Sequence, residues 1–160
     1  MFALKLFSAL GCGVIAGVFF AFSTFVMNAL SRLQPREGIA AMQSINITAI
    51  NPLFMLVLFG TATTCLFLAI FSVLKWHQPG AIYLLVASLL YLIGTILVTI
   101  VFNVPLNDAL ATVKPDSIDG ANLWARYLTN WTFWNHVRTV AALVAAVLLT
   151  LALCDRSVQL

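Results

Sequence analysis

The sequence predicts an all-α integral membrane protein, a bundle of four transmembrane helices, and three observations carry that prediction. The first is composition: 62% of the 160 residues are hydrophobic, only 8% are charged, and mean hydropathy is +1.05. A soluble domain carries roughly 25% charged residues, because it must cover its core with a solvated skin. The second is the length of the uncharged runs. Leu6 to Ser31, Pro52 to Leu74, Ala81 to Asn107 and Thr139 to Cys154 contain no Asp, Glu, Lys or Arg. About 20 apolar residues suffice to cross ~30 Å of hydrocarbon as a helix. The third is a polar phrase that stands twice before an apolar run. Asn46-Ile47-Thr48-Ala49-Ile50-Asn51 and Asn130-Trp131-Thr132-Phe133-Trp134-Asn135 both read Asn-x-Thr-x-x-Asn, 84 residues apart (130 − 46 and 135 − 51).

The first span follows Lys5 and carries Gly13 and Gly17 with Ala9 and Ala21 in one row. Such small-xxx-small spacing normally lets two helices approach closely. Ala9-Leu10-Gly11-Cys12 faintly resembles a lipoprotein cleavage site, but the apolar run between Lys5 and Cys12 is too short for a signal core. In the connection that follows, Ile39, Met42 and Ile45 fall at helical spacing, which predicts a short surface helix near 36–45. Asn51-Pro52 then reads as a helix cap followed by a first-turn proline. Gln78-Pro79-Gly80 is a turn signal between the second and third spans.

In the third span Tyr91, Thr95, Thr99 and Asn103 recur every four residues and form one polar stripe, in which the threonines can bond their own backbone. Leu123, Trp124, Tyr127 and Leu128 predict a second surface helix near 120–128. The fourth run is short unless its helix begins near Trp131 and includes His136 and Arg138.

The chain reads as one integral membrane domain of two parallel half-repeats, about 1–78 and 79–160. Met27-Asn28-Ala29-Leu30 pairs with Leu106-Asn107-Asp108-Ala109-Leu110, and Glu37-Gly38 pairs with Asp119-Gly120. An even number of spans per half gives both halves one orientation, with the pseudo-axis along the membrane normal. Lys5, Lys75 and Arg156 fall on one face, and Arg32, Arg36, Lys114 and Arg126 on the other. Three against four does not orient the protein.

Several functions are disfavoured. The net charge of +3 is spread over scattered cations with no patch, so no nucleic-acid partner is expected. Cys12, Cys65 and Cys154 lie in apolar runs without metal-ligand spacing, and His77 and His136 fall at opposite faces, so no metal centre is expected. No phosphate loop, nucleophile elbow or cofactor motif is present, and no cofactor is expected.

The candidate site is a polar vestibule where the helix ends meet. Asn51, Asn103, Asn107, Asp108, Asn135, His136 and Arg138 are expected at one membrane face, with Trp131 and Trp134 beside them. Arg138 is costly within an apolar segment, by ~2.5–3.5 kcal/mol at a helix centre, and Asp108 is its natural counter-ion. His136 is the titratable base of the set, since an imidazole is poised near neutral pH. These residues fit a structural ion pair tying two helices, or a pocket orienting an anionic or enolic ligand. Membrane lipid is the expected partner, with a lipophilic small molecule as ligand, and small-residue faces leave self-association open.

Gly17-Val18-Phe19-Phe20-Ala21-Phe22-Ser23-Thr24-Phe25-Val26-Met27, Ala41-Met42-Gln43-Ser44-Ile45-Asn46, Phe102-Asn103-Val104-Pro105-Leu106-Asn107-Asp108 and Trp131-Thr132-Phe133-Trp134-Asn135-His136-Val137-Arg138-Thr139 resemble the anthrone-oxygenase-like family of small four-helix membrane proteins. The likeness runs from about Gly13 to Leu149, with Asn28 where the family phrase has proline. It implies a bacterial inner-membrane location and, by analogy with fungal relatives, oxidation of anthrones to anthraquinones. In that chemistry His136 would take a proton, Asn51, Asn135 or Arg138 would steady the enolate, and Trp131 and Trp134 would stack on the rings. Substrate-binding roles for Asn51, Asn103, Asn107, Asp108, Trp131, Trp134 and Asn135 follow from the same reading. Two other classes remain open: a non-catalytic module binding a lipid, quinone or partner helix, and a small transporter or channel subunit.

Overall fold

The computed structural model describes residues 1–154, and Arg156, assigned above to one membrane face, lies outside them. Four helices are long and apolar enough to cross a membrane: Phe2–Ser31, Pro52–Leu74, Ala81–Thr112 and Ile118–Cys154. A fifth, Pro35–Ala49, lies in the first connection. The protein is therefore an all-α, multi-pass membrane protein. Each span packs against the next, and the fourth closes the ring against the first. Lys5 donates to the carbonyl of Ala152 (3.4 Å), and Met1, Lys5 and Lys75 line one depression at that end of the bundle.

Local chemistry explains the helix boundaries. Pro35 and Pro52 both stand in the first turn, where a missing N–H costs nothing. At the elbow before the second span, Asn51 Oδ1 accepts from the Phe54 N–H (3.0 Å), while its Nδ2 donates to the Thr48 carbonyl (3.0 Å). One side chain thus ties the end of the surface helix to the start of the span. Gly80 turns the chain between the second and third spans with φ of 78°, a left-handed conformation that a Cβ disfavours. Gln43 fixes the surface helix to the bundle by donating to the carbonyls of Leu110 (2.8 Å) and Val113 (3.1 Å), where the third span ends.

The core has two parts. Toward the chain termini Cys12, Ile15, Leu68, Leu84, Ala142 and Leu149 interlock. Toward the other face Met27, Ile39, Met42, Leu110, Trp124, Tyr127 and Trp131 pack beneath the surface helix. Three stretches are π-helical: Phe22–Val26, Leu90–Leu97 and Thr99–Asn103. The last immediately precedes Pro105, whose ring cannot pass the carbonyl four residues earlier in a regular α-helix.

Three expectations change. No separate surface helix forms over 120–128; those residues are the opening turns of the 37-residue fourth helix. Nothing between Leu128 and Trp131 breaks a helix, whereas Ile50 and Asn51 leave helical geometry before Pro52. The two copies of Asn-x-Thr-x-x-Asn therefore differ locally, one crossing a helix break and the other lying inside a helix. Gly13 and Gly17 face outward, and a Cβ on either meets nothing within 4 Å. Close approaches between spans occur instead at Gly11, where a Cβ would collide with the Thr61 side chain of the second span, and at Gly94, where it would lie 2.5 Å from that of Ala141 in the fourth.

Candidate functional site

Between the surface helix and the four spans lies a cleft of about 720 Å³. Val18, Phe19, Phe22, Phe54, Met55, Leu58 and Trp131 supply most of its wall, with Gln43, Asn46, Asn51, Thr99, Asn107, Asp108 and Arg138 as its polar lining. A cavity of this size, apolar with a few convergent polar groups, suits a small organic ligand. Ile47 and Ile50 line it at the rim while 74% and 75% exposed, and Leu53 beside them is also exposed.

Arg138 defines the inner wall. It is 4% exposed, and the expected ion pair with Asp108 is absent: among the described residues no carboxylate lies within 4.0 Å of its guanidinium. Asp108 is exposed and lines the same cleft, beyond 4.0 Å from the guanidinium. The cation is held by other means. Nη2 donates to Asn135 Oδ1 (2.7 Å), and Nη1 donates to Thr99 Oγ1 (3.2 Å). The guanidinium carbon also lies 4.1 Å from the Phe19 ring centre and 5.1 Å from that of Trp131, cation–π distances. Its Nε has no partner.

Asn135 is fully buried behind this wall. Its Nδ2 spends both hydrogens within the bundle, on the Phe19 carbonyl and on Ser23 Oγ, each at 2.7 Å. Thr139 gives its hydroxyl hydrogen to the Asn135 carbonyl (2.8 Å), so Ser23 is the donor in the 3.0 Å Ser23–Thr139 contact. The π-helical turns on either side of the fourth span thus serve one network: Ser23 from the first span and Thr99 from the third. Asn103 is buried, donates to the Trp131 carbonyl (3.2 Å), and leaves Oδ1 unpaired.

Asn107 Oδ1 accepts from Tyr127 Oη (2.7 Å) and from Trp131 Nε1 (2.8 Å). That fixes the amide orientation and leaves the Asn107 NH2 on a cleft-lining side chain. Trp124, Tyr127 and Trp131 form a near-parallel ladder, with centroids 5.6 and 6.0 Å apart. Trp124 and Tyr127 are buried under the surface helix.

Of the sequence-predicted residues, Asn51, Asn107, Asp108, Trp131 and Arg138 line the cleft. Asn103 and Asn135 sit behind it and act on its lining residues. His136 and Trp134 do not reach it. His136 is exposed, because one residue along a helix turns the side chain about 100° away from the inward-facing Asn135. Among the described residues it has no hydrogen-bond partner, and it is not one of the side chains that line the cleft. Trp134 stacks on Phe102 (3.6 Å, 8°), a partly exposed ring on the outer surface. Sequence reasoning passed over Phe19, Phe22, Gln43, Tyr127 and Thr99. Thr99 was legible in the polar stripe: it does bond its own backbone at Thr95 (2.7 Å), yet its oxygen also accepts from Arg138.

A family model described as anthrone oxygenase matches residues 52–148. The chain belongs to the anthrone oxygenase family. That match contains Thr99, Asn107, Asp108, Trp131, Asn135 and Arg138, so the inner wall of the cleft lies within the part shared with the anthrone oxygenase family. Neither a curated protein nor a solved structure matches the chain. Among the described residues no three His, Cys, Asp or Glu side chains group as metal ligands would.

Proposed function

We propose that this protein oxygenates a lipophilic, enolisable ring ketone of the anthrone type within the cleft, in a bacterial inner membrane. The observation that carries this reading is the buried Arg138, a cation with no carboxylate partner among the described residues, on the wall of an apolar cavity. The exposed Ile47, Ile50 and Leu53 at the rim favour entry from the lipid leaflet.

The chemistry divides among few groups. Asp108, the acidic side chain on the cleft's lining, takes a proton from the ring methylene. The electron pair left behind spreads onto the ketone oxygen, which faces Arg138 and the Asn107 NH2. Preorganised donors aimed at developing charge in a dry site are the largest usual source of rate enhancement. The electron-rich enolate reduces dioxygen and forms a carbon–oxygen bond, giving a peroxide that recovers the proton from Asp108. Loss of water from that hydroperoxide leaves a new ketone. One oxygen atom enters the product and the other leaves as water, so the methylene loses four electrons and dioxygen gains four.

The test is oxygen uptake by purified protein in lipid nanodiscs with an anthrone, over the uncatalysed background. Asp108→Asn is expected to lower kcat by ~10² or more, the contribution of a positioned base. Arg138→Met is expected to lower kcat by ~10²–10³, as loss of an oxyanion donor does. Wild-type protein that never exceeds the background rate ends the enzymatic reading and leaves a binding module.

A further inference from the structure

The inner wall of the cleft offers donors, and among the described residues no carboxylate is paired with its cation. Arg138 lines this wall; its Nη1 and Nη2 donate to Thr99 and Asn135 and each keeps a second N–H, while its Nε is enclosed and unpartnered among the described residues. Asn107 has its oxygen saturated by Tyr127 and Trp131, so it too has only N–H to give. Around these donors the surfaces are flat rings: Phe19, Phe22 and Trp131, with Phe22 and Trp131 5.7 Å apart and tilted by 56°. A buried charge without a counter-ion is costly, and an anion supplied by a ligand is the direct compensation.

We infer that the cleft is a receptor for planar aromatic monoanions, carboxylates or phenolates, recognised in their charged form whether or not turnover follows. This rests on the same cleft as the proposed function, but not on its chemistry. The ring system fills the apolar space, and the anionic oxygen faces the Arg138 guanidinium and the Asn107 amide. Asp108 lines the same cleft at an exposed position. Its negative charge disfavours a second acidic group there, which restricts the ligand to one charge at one end. Acidic aromatics would then compete with any enolisable substrate for the same two donors.

The experiment compares anthracene-9-carboxylate with 9-anthracenemethanol, of nearly equal shape, on wild-type protein in phosphatidylcholine nanodiscs. Quenching of tryptophan fluorescence, corrected for partition into empty nanodiscs, reads binding. The carboxylate is expected to bind at least tenfold more tightly than the alcohol. Arg138→Gln should abolish that preference and leave the affinity for the alcohol within threefold. Equal affinity of the two probes for wild-type protein overturns the inference, and this arm needs no variant. A preference that survives in a folded Arg138→Gln protein overturns it as well. Anion preference without oxygen uptake upholds this inference and ends the enzymatic one. Oxygen uptake without anion preference does the reverse.

Discussion

Asn135→Ala tests whether the inner wall of the cleft is held by one amide. The residue is fully buried and makes three interactions at once: Nδ2 to the Phe19 carbonyl, Nδ2 to Ser23 Oγ, and Oδ1 from Arg138 Nη2, all at 2.7 Å. Interhelical hydrogen bonds within bilayers average about 0.6 kcal/mol, because the unfolded chain in the membrane also finds partners. The bond from Arg138 is charge-assisted, a class worth roughly 1.5–3 kcal/mol, and its loss strands a buried cation's donor. Two ordinary bonds and one charged bond together give an expected destabilisation of about 3 kcal/mol.

The measurement is reversible unfolding in mixed micelles, followed by tryptophan fluorescence. Asn135→Asp provides the control: it keeps the acceptor for Arg138, converts that bond into an ion pair, and gives up the donors to Phe19 and Ser23. It should recover much of the loss seen with alanine. A change below about 0.5 kcal/mol for Asn135→Ala, the level of a surface substitution, refutes the network as drawn.

Gly94→Ala is expected to destabilise the bundle by about 1–3 kcal/mol, the cost of overpacking, because its Cβ would lie 2.5 Å from that of Ala141. Ala141→Gly in the same chain should restore most of the loss, and thermal unfolding of the two single variants and the double variant measures it. His136→Gln should leave oxygen uptake with an anthrone within twofold of wild type, since His136 is exposed and off the cleft wall. A tenfold fall in kcat would return His136 to the mechanism.

The number of spans, the limits of the second span and the family were legible in the sequence because they depend on composition and local order. Uncharged runs of helical length can satisfy their backbone in a bilayer only as helices. Asn51 at its cap and Gly80 at its turn follow from backbone chemistry within a few residues, so the sequence alone decided both. The side-chain network was not legible, since its members come from three spans far apart in sequence. Sequence order made Asp108 the natural partner of Arg138, but the third span sets Asp108 at an exposed position and turns Thr99 toward the guanidinium instead. Likewise Asn135 and His136 are adjacent in sequence and look alike as polar candidates. The pitch of one continuous helix buries the first against Phe19 and Ser23 and leaves the second outside. Composition and spacing thus determined that a polar site exists near the helix ends. Which groups face it was decided only by packing, because helix rotation, the π-helical turns and the seating of the surface helix by Gln43 depend on contacts between distant residues.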